Sequence, residues 1–270
     1  MAPIPSQKFD RLFPVGMRAF VRAREVGLVV VAAVVGVTSG LLVSALSAVS
    51  QLAHEVIFDL DRGHHLSIAE GLLWWRVMAG PILGALALAA LTLWAGKRFS
   101  GRMADAIEAN ALNGGRLSMG GSLYITVQTF ISNACGSSVG LEAAYTQISA
   151  AVASLLGRGL AARRSDMRLL VGCGAAGAIA AAFGAPLAGA FYAFEVVLGA
   201  YSVGSLVPVA ASAIVAALVA RPLTGHDLLI VPGPLSPIHG TGFAHLVVLA
   251  TLMAGLGIAL MRGVAAFDGL

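Results

Sequence analysis

The sequence predicts an all-α, polytopic integral membrane protein with broken and re-entrant helices. Three observations carry that reading. Of the 270 residues, 58% are hydrophobic and only 11% charged, where soluble domains carry about 25% charged residues. Apolar runs of spanning length recur along the chain, and about 20 such residues suffice to cross a bilayer. Glycine and proline interrupt several of these runs, and broken helices are tolerated at membrane depth only where they line a protein-covered cavity or site. The 33 glycines also fit close helix approach, because no hydrophobic effect draws helices together in lipid.

Residues 1–25 are polar and basic, with Lys8, Arg11, Arg18, Arg22 and Arg24. The apolar run behind them is too long for a signal peptide, and the positive-inside rule puts this end in the cytoplasm. The chain therefore divides into a cytoplasmic N-terminal segment, 1–25, and a transmembrane domain, 26–270. Val26 to Ala53 is free of charge and carries Gly36-x-x-x-Gly40, a close-packing signature. Glu55 to Glu70 reads as a polar connection. His64 and His65 stand near Asp59 and Asp61 there, at a spacing that fits no metal motif. Leu72 to Gly96 is the second span, with Trp74, Trp75 and Trp94 near its ends as an aromatic belt.

Lys97 to Arg116 is too charged to span, and Ala104 to Leu112 predicts a short partial helix. Ser118 to Cys135 is the third apolar segment. Arg158, Arg163, Arg164 and Arg168 read as a basic, cytoplasmic loop. Leu169 to Phe194 is apolar but holds Gly184-Ala185-Pro186, which predicts two half-helices meeting inside the membrane. Val196 to Ala220 is another apolar segment, with Pro208 within it. Arg221 to Thr241 is a polar loop with four prolines, holding His226 and His239 with His245 just beyond, and Phe243 to Met261 starts one more span. The basic clusters are short and serve as topology signals, so nothing suggests a nucleic-acid surface. Cys135 and Cys173 lie in apolar surroundings and read as small buried hydrophobes.

The stretch from Asn133 to Leu156 carries the chemistry. Glu142 stands alone between Leu117–Leu141 and Ala143–Gly157, neither of which contains Asp, Glu, Lys or Arg. A charge at bilayer depth costs about 3 kcal/mol on insertion scales. Gly136, Ser137, Ser138 and Gly140 form a small polar break, and a helix-forming run follows from Ala143. A helix start presents unpaired N–H groups and the positive end of its dipole, which together make an anion site. A carboxylate there competes with a dissolved anion; alternatively, it is hydrogen-bonded to lock the loop. Gly136 to Gly140 also matches G-x-S-x-G, but that motif needs a strand–turn–helix setting and a nearby His and acid, which this region lacks.

Two stretches resemble the voltage-gated chloride channel (CLC) family. Ser138 to Arg158 is similar to the family's G-[KR]-E-G-P segment followed by T-V-Q-I-G. Leu169 to Leu198, with its AAFGAPLAGAFYAFE run, is similar to A-A-G-x-A-A-x-F-N-A-P-L-A-G-x-x-F-x-x-E. The resemblance implies two inverted halves with anion sites where broken helices meet. This chain resembles the first half plus the start of the second. The family's later G-x-F-x-P motif and pore tyrosine have no counterpart before Leu270, so the chain reads as a fragment.

The carry-over implies Glu142 as the gating carboxylate, with Gly140, Leu141, Ala143 and Ala144 around the anion. Leu141 stands where the family has a basic residue, and Ala143 and Ala144 replace Gly and Pro. The family's G-S-G-I-P falls on Ser100 to Ala104, which assigns its serine to Gly101, or to Ser100 with a one-residue slip. Glu195 is a possible proton-path acid; Val196 occupies the position of the internal glutamate of proton-coupled members. The function implied is channel-like transport of chloride or other small anions, without cofactor or enzyme activity. Alternatives are a proton-coupled chloride antiporter and a truncated, non-transporting fragment. The family further implies a homodimer through Pro186 to Ala220 and a place in the cell (inner) membrane.

Overall fold

Among the residues described by the computed structural model, 25–63, 66, 69, 71–99, 104–137, 139–224 and 240–268, every regular element is helical. The elements are α1 (Glu25–Phe58), α2 (Trp74–Phe99), α3 (Ala106–Leu112), α4 (Met119–Ala134), α5 (Glu142–Gly159), α6 (Arg164–Phe183) and α7 (Pro186–Tyr192). A π-helical turn (Ala193–Leu198), α8 (Val203–Thr224) and α9 (Gly240–Asp268) follow. Five described helices, α1, α2, α6, α8 and α9, contain stretches long and apolar enough to cross a membrane. The chain forms two units, Met1–Asp227 and Leu228–Leu270. In the second, α9 has none of its most apolar stretch buried.

The first unit is built around α6. Its spanning window has a mean hydropathy of only 1.4 yet is 72% buried, whereas that of α2 reaches 1.9 and is 11% buried. This inversion follows from the solvent: lipid accepts apolar side chains, so the interior is selected for closeness rather than greasiness. Thirteen residues of α6 are buried, and most are Gly or Ala. A Cβ at Gly174 would run into the Ser149 backbone of α5, and one at Gly177 would meet Ser39 of α1 and Ala216 of α8. Ser212 Oγ donates to the Cys173 carbonyl (2.8 Å) and Ser39 Oγ to the Gly174 carbonyl (3.4 Å), so buried hydroxyls tie three helices together. Gly36 and Gly40 of α1 lie directly on the Ser212 and Ala216 carbonyls of α8, as the Gly-x-x-x-Gly pattern predicts.

α2 faces outward. Trp74 and Trp94 are each 78% exposed and stand about 30 Å apart along the axis at 1.5 Å per residue, the thickness of a hydrocarbon core. Pro81 lies inside this helix. Its inner side rests on the end of α4, where Gly80 and Gly84 leave room for Phe58 and Cys135.

The short elements form for local reasons. Asp105 caps α3 by accepting from the Glu108 N–H (2.6 Å). Gly114 and Gly115, both at positive φ, close it, and Ser154 Oγ of α5 secures that turn by donating to the Gly115 carbonyl (2.8 Å) and accepting from the Leu117 N–H (3.0 Å). The broken helix predicted between Leu169 and Leu198 is present. α6 stops at Gly184 in the left-handed conformation (φ 62°), and Pro186 opens α7 at its first turn.

Several boundaries differ from the sequence reading. α1 runs past Ala53 to Phe58 because its last polar residues are held. Glu55 accepts from Gln51 (3.2 Å) and from the Gly63 N–H (3.0 Å), and the Phe58 side chain is buried. The four arginines are not one loop: Arg158 lies in the last turn of α5 and Arg164 and Arg168 on α6, leaving residues 160–163 as the connection. The run from Val196 to Ala220 is divided, since Gly199 at φ 65° ends the π turn and Ser202 Oγ accepts from the Ser205 N–H (3.2 Å) where α8 begins. The last span, α9, opens at Gly240, inside the stretch read as a polar loop, and carries His245. His64, His65, His226 and His239 fall outside the described residues.

Candidate functional site

The site lies where α4 turns into α5. α4 ends at Ala134, and the chain reverses through Gly136 at φ 87°, where the Phe58 ring fills the space a side chain would need. Backbone bonds from Gly136 N–H to Asn133 C=O (3.0 Å) and Ser137 N–H to Ser132 C=O (3.1 Å) hold the turn. α5 opens at Glu142, and its first backbone bond runs from the Tyr145 N–H to the Leu141 carbonyl (2.9 Å). The N–H groups of Glu142, Ala143 and Ala144 precede that bond, and no side chain of the N-cap residue covers them. Such a start attracts negative charge.

Glu142 and Ala143 are exposed, while Ala144 is fully buried. The Glu142 carboxylate folds back over Gly140, so that a Cβ at Gly140 would overlap it. Gly140 is therefore a matter of space rather than of backbone angle. Leu141 turns the other way, into a cluster with Val43, Tyr145, Ala178, Ala181, Ala216 and Ala220. Of the residues carried over from the G-[KR]-E-G-P segment, Gly140, Glu142 and Ala143 share the open face of the helix start, and the side chains of Leu141 and Ala144 are core. Ser100 and Gly101 lie outside the described residues, as do Arg102 and Ser138.

The turns of α5 behind Glu142 carry buried polar groups that local sequence reading did not single out. Thr146 Oγ1 donates to the Glu142 carbonyl (2.9 Å) and also lies within reach of the Ala143 carbonyl (3.2 Å). Gln147 Nε2 donates to the Ala104 carbonyl and to Ser122 Oγ, both at 3.0 Å. These bonds fix the start of α3 against the second turn of α5. The one available signal was Gln147 itself, an amide inside an apolar run, which must find partners when buried. Tyr145 is braced separately, its hydroxyl 2.7 Å from Ser47 of α1.

Glu195 is not part of this cluster. It is exposed on the π turn and accepts from the Tyr201 hydroxyl (3.0 Å), while the Tyr201 ring stacks on Phe194 with centroids 5.1 Å apart. Val196, the next residue, is 40% exposed. Among the described residues no group of three or more His, Cys, Asp or Glu side chains is placed to hold a metal.

The family described as Voltage gated chloride channel matches residues 87–270. The chain belongs to this family, which sets it among membrane proteins rather than enzymes. The Voltage-gated ClC-type chloride channel ClcB of Salmonella typhimurium is 32% identical over 231 residues, 84% of this chain and 54% of that protein. ClcB of Yersinia pseudotuberculosis is 30% identical over 230 residues, 84% of this chain and 55% of that protein. A Putative chloride channel protein ClcB-like of Ralstonia nicotianae is 38% identical over 167 residues, 60% and 39% of the two chains. The chain spans about half the length of the curated relatives it matches. No solved structure matches it.

Proposed function

We propose that this chain supplies one half of an anion pathway through a bacterial inner membrane, with Glu142 as its gating carboxylate. One observation carries the reading: an exposed carboxylate at the first residue of α5, folded over Gly140 beside N–H groups that no side chain caps. An ionised Glu142 and a dissolved anion compete for the same positive helix start. Protonation removes the competitor and opens the site. The amide and methyl replacements Glu142→Gln and Glu142→Ala mimic that state. In vesicles containing the complete protein, both are expected to raise chloride flux at neutral pH about tenfold and to flatten its pH dependence. A carboxylate at a helix start is stabilised by up to about 2 kcal/mol, and about 1.4 kcal/mol is tenfold. Loss of flux in both folded variants would instead make Glu142 a structural lock.

The same vesicles test proton coupling. Val196 cannot titrate, and Glu195 is turned by about 100° from it on an ideal helix, so anion movement is expected to run uncoupled or weakly coupled. Uphill proton movement driven by a chloride gradient would show an antiporter. The arginines around the α5–α6 connection set that end in the cytoplasm by the positive-inside rule. Exposed Leu187 and Phe191 on α7, with Leu206 and Val207 on α8, offer an apolar face for a homodimer. Cysteine cross-linking between copies at Leu206 checks this, and monomers alone would count against it.

A further inference from the structure

α1 reaches the loop in front of Glu142 through three side chains. Ser50 Oγ donates to Asn133 Oδ1 (2.7 Å), and His54 Nε2 lies 2.9 Å from the Asn133 carbonyl oxygen. The Phe58 ring covers Gly136. Asn133 then passes the connection on, since its Nδ2 donates to the Val139 carbonyl at 2.9 Å. The chemistry fixes these roles. A backbone carbonyl only accepts, so the amide NH2 must face Val139, its oxygen must face the Ser50 hydroxyl, and His54 must carry its proton on Nε2. The Asn133 carbonyl also accepts from the Gly136 N–H (3.0 Å), so both of its lone pairs are used. A Gly- and Ser-rich segment loses more conformational freedom than most on being fixed. Asn133 ties this one, at Val139, to the long helix α1.

We propose that Asn133 is a positioning residue for Glu142. By holding the Val139 carbonyl it sets, three residues on, where the Glu142 carboxylate lies over the start of α5. Its effect on transport rests on the gate reading above, but the clamp itself is testable without it. The titratable groups that face the loop and its glutamate are His54 on α1, Cys135, Glu142 itself and Tyr145 one turn into α5, whose hydroxyl meets Ser47 of α1.

The test uses the complete protein. In a background from which every native cysteine has been removed, Cys135 and Cys173 among them, Val139→Cys places a thiol at a residue that is 47% exposed. Its rate of modification by a membrane-impermeant thiol reagent is expected to rise about three- to tenfold when Asn133→Ala is added, the range equivalent to one net hydrogen bond. Ser50→Ala, which removes one tie and no bulk, is expected to give a smaller rise and serves if Asn133→Ala does not fold. In the cysteine-intact protein, Asn133→Ala (or Ser50→Ala in its place) is expected to shift the pH profile of chloride flux while Glu142 is present and to change nothing in a Glu142→Gln background. Unchanged reactivity of the Val139 thiol overturns the clamp. Raised reactivity with an unmoved pH profile, or an equal loss of flux in both backgrounds, overturns the positioning role. If Glu142→Gln alone keeps the full pH dependence, the gate reading fails, and the thiol rates still decide the clamp.

Discussion

Two helices of this protein open after an interruption, and they do so with the same spacing. α5 begins with Gly140-Leu141-Glu142 and α7 with Gly184-Ala185-Pro186. In each, a glycine stands two residues before the first helical residue, and no side chain caps the start. The glycines serve opposite purposes. Gly184 sits at φ 62° with open space where a Cβ would be, so it is needed for its backbone angle. Gly140 has no such angle, but a Cβ there would strike the Glu142 carboxylate. The first helical residues differ accordingly. Proline at α7 removes one of the unpaired N–H groups; glutamate at α5 leaves them all and sets a negative charge beside them. One break bends the chain; the other, on the gate reading proposed above, makes a place where anions compete.

Among the tests of this contrast, the largest expected effect falls at Gly140. In Gly140→Ala the new methyl must push the carboxylate off the helix start. Chloride flux at neutral pH is expected to rise about three- to tenfold, the fraction of a helix-terminus interaction that displacement forfeits. In a Glu142→Ala background the same change is expected to do nothing. An equal rise in both backgrounds would mean that the loop, not the carboxylate, controls the site.

Gly184→Ala should act on stability instead. An L-residue in the left-handed region costs about 1–2 kcal/mol, which lowers an unfolding midpoint by about 2–4 °C per kcal/mol in a domain of this size. Flux per folded protein is expected to stay unchanged. A change in the pH profile of flux would join the two breaks functionally and dissolve the contrast.

The contrast also shows what local sequence can carry. Gly184-Ala185-Pro186 was legible because each residue acts on its own backbone. Glu142 was legible because a single charge in two dozen apolar neighbours demands a reason. The C-terminal turn of α1 was not, since His54 and Glu55 look like loop residues until their partners at Asn133 and Gly63 are known. The same limit applies inside the bundle. Ser39 finds its acceptor 135 positions away at Gly174, and Gln147 finds Ala104 and Ser122 at distances of 43 and 25. Periodicity marks which residues are buried, but in a membrane protein both faces are apolar and the polar pairings inside depend on tertiary contacts. Leu141 shows what a motif alignment leaves open: it gives the position at the helix start but not that the side chain lies in the core.

The smallest effect is expected at Pro186. Replacement by alanine keeps a residue able to adopt helical φ, so α7 should still form. Two small terms then oppose its stability. The unfolded chain regains freedom that proline denied it, about 0.4–1 kcal/mol. An N–H also appears at a helix start that has no cap, in a half-buried setting where an unpaired donor is unfavourable. The net loss should stay near 1 kcal/mol, visible as a small drop in the unfolding midpoint in detergent, with chloride flux and its pH dependence intact. Should Pro186→Ala raise flux or create a second pH-dependent component, the added N–H would be acting on an anion, and the start of α7 would have to be counted as part of the pathway rather than as a bend.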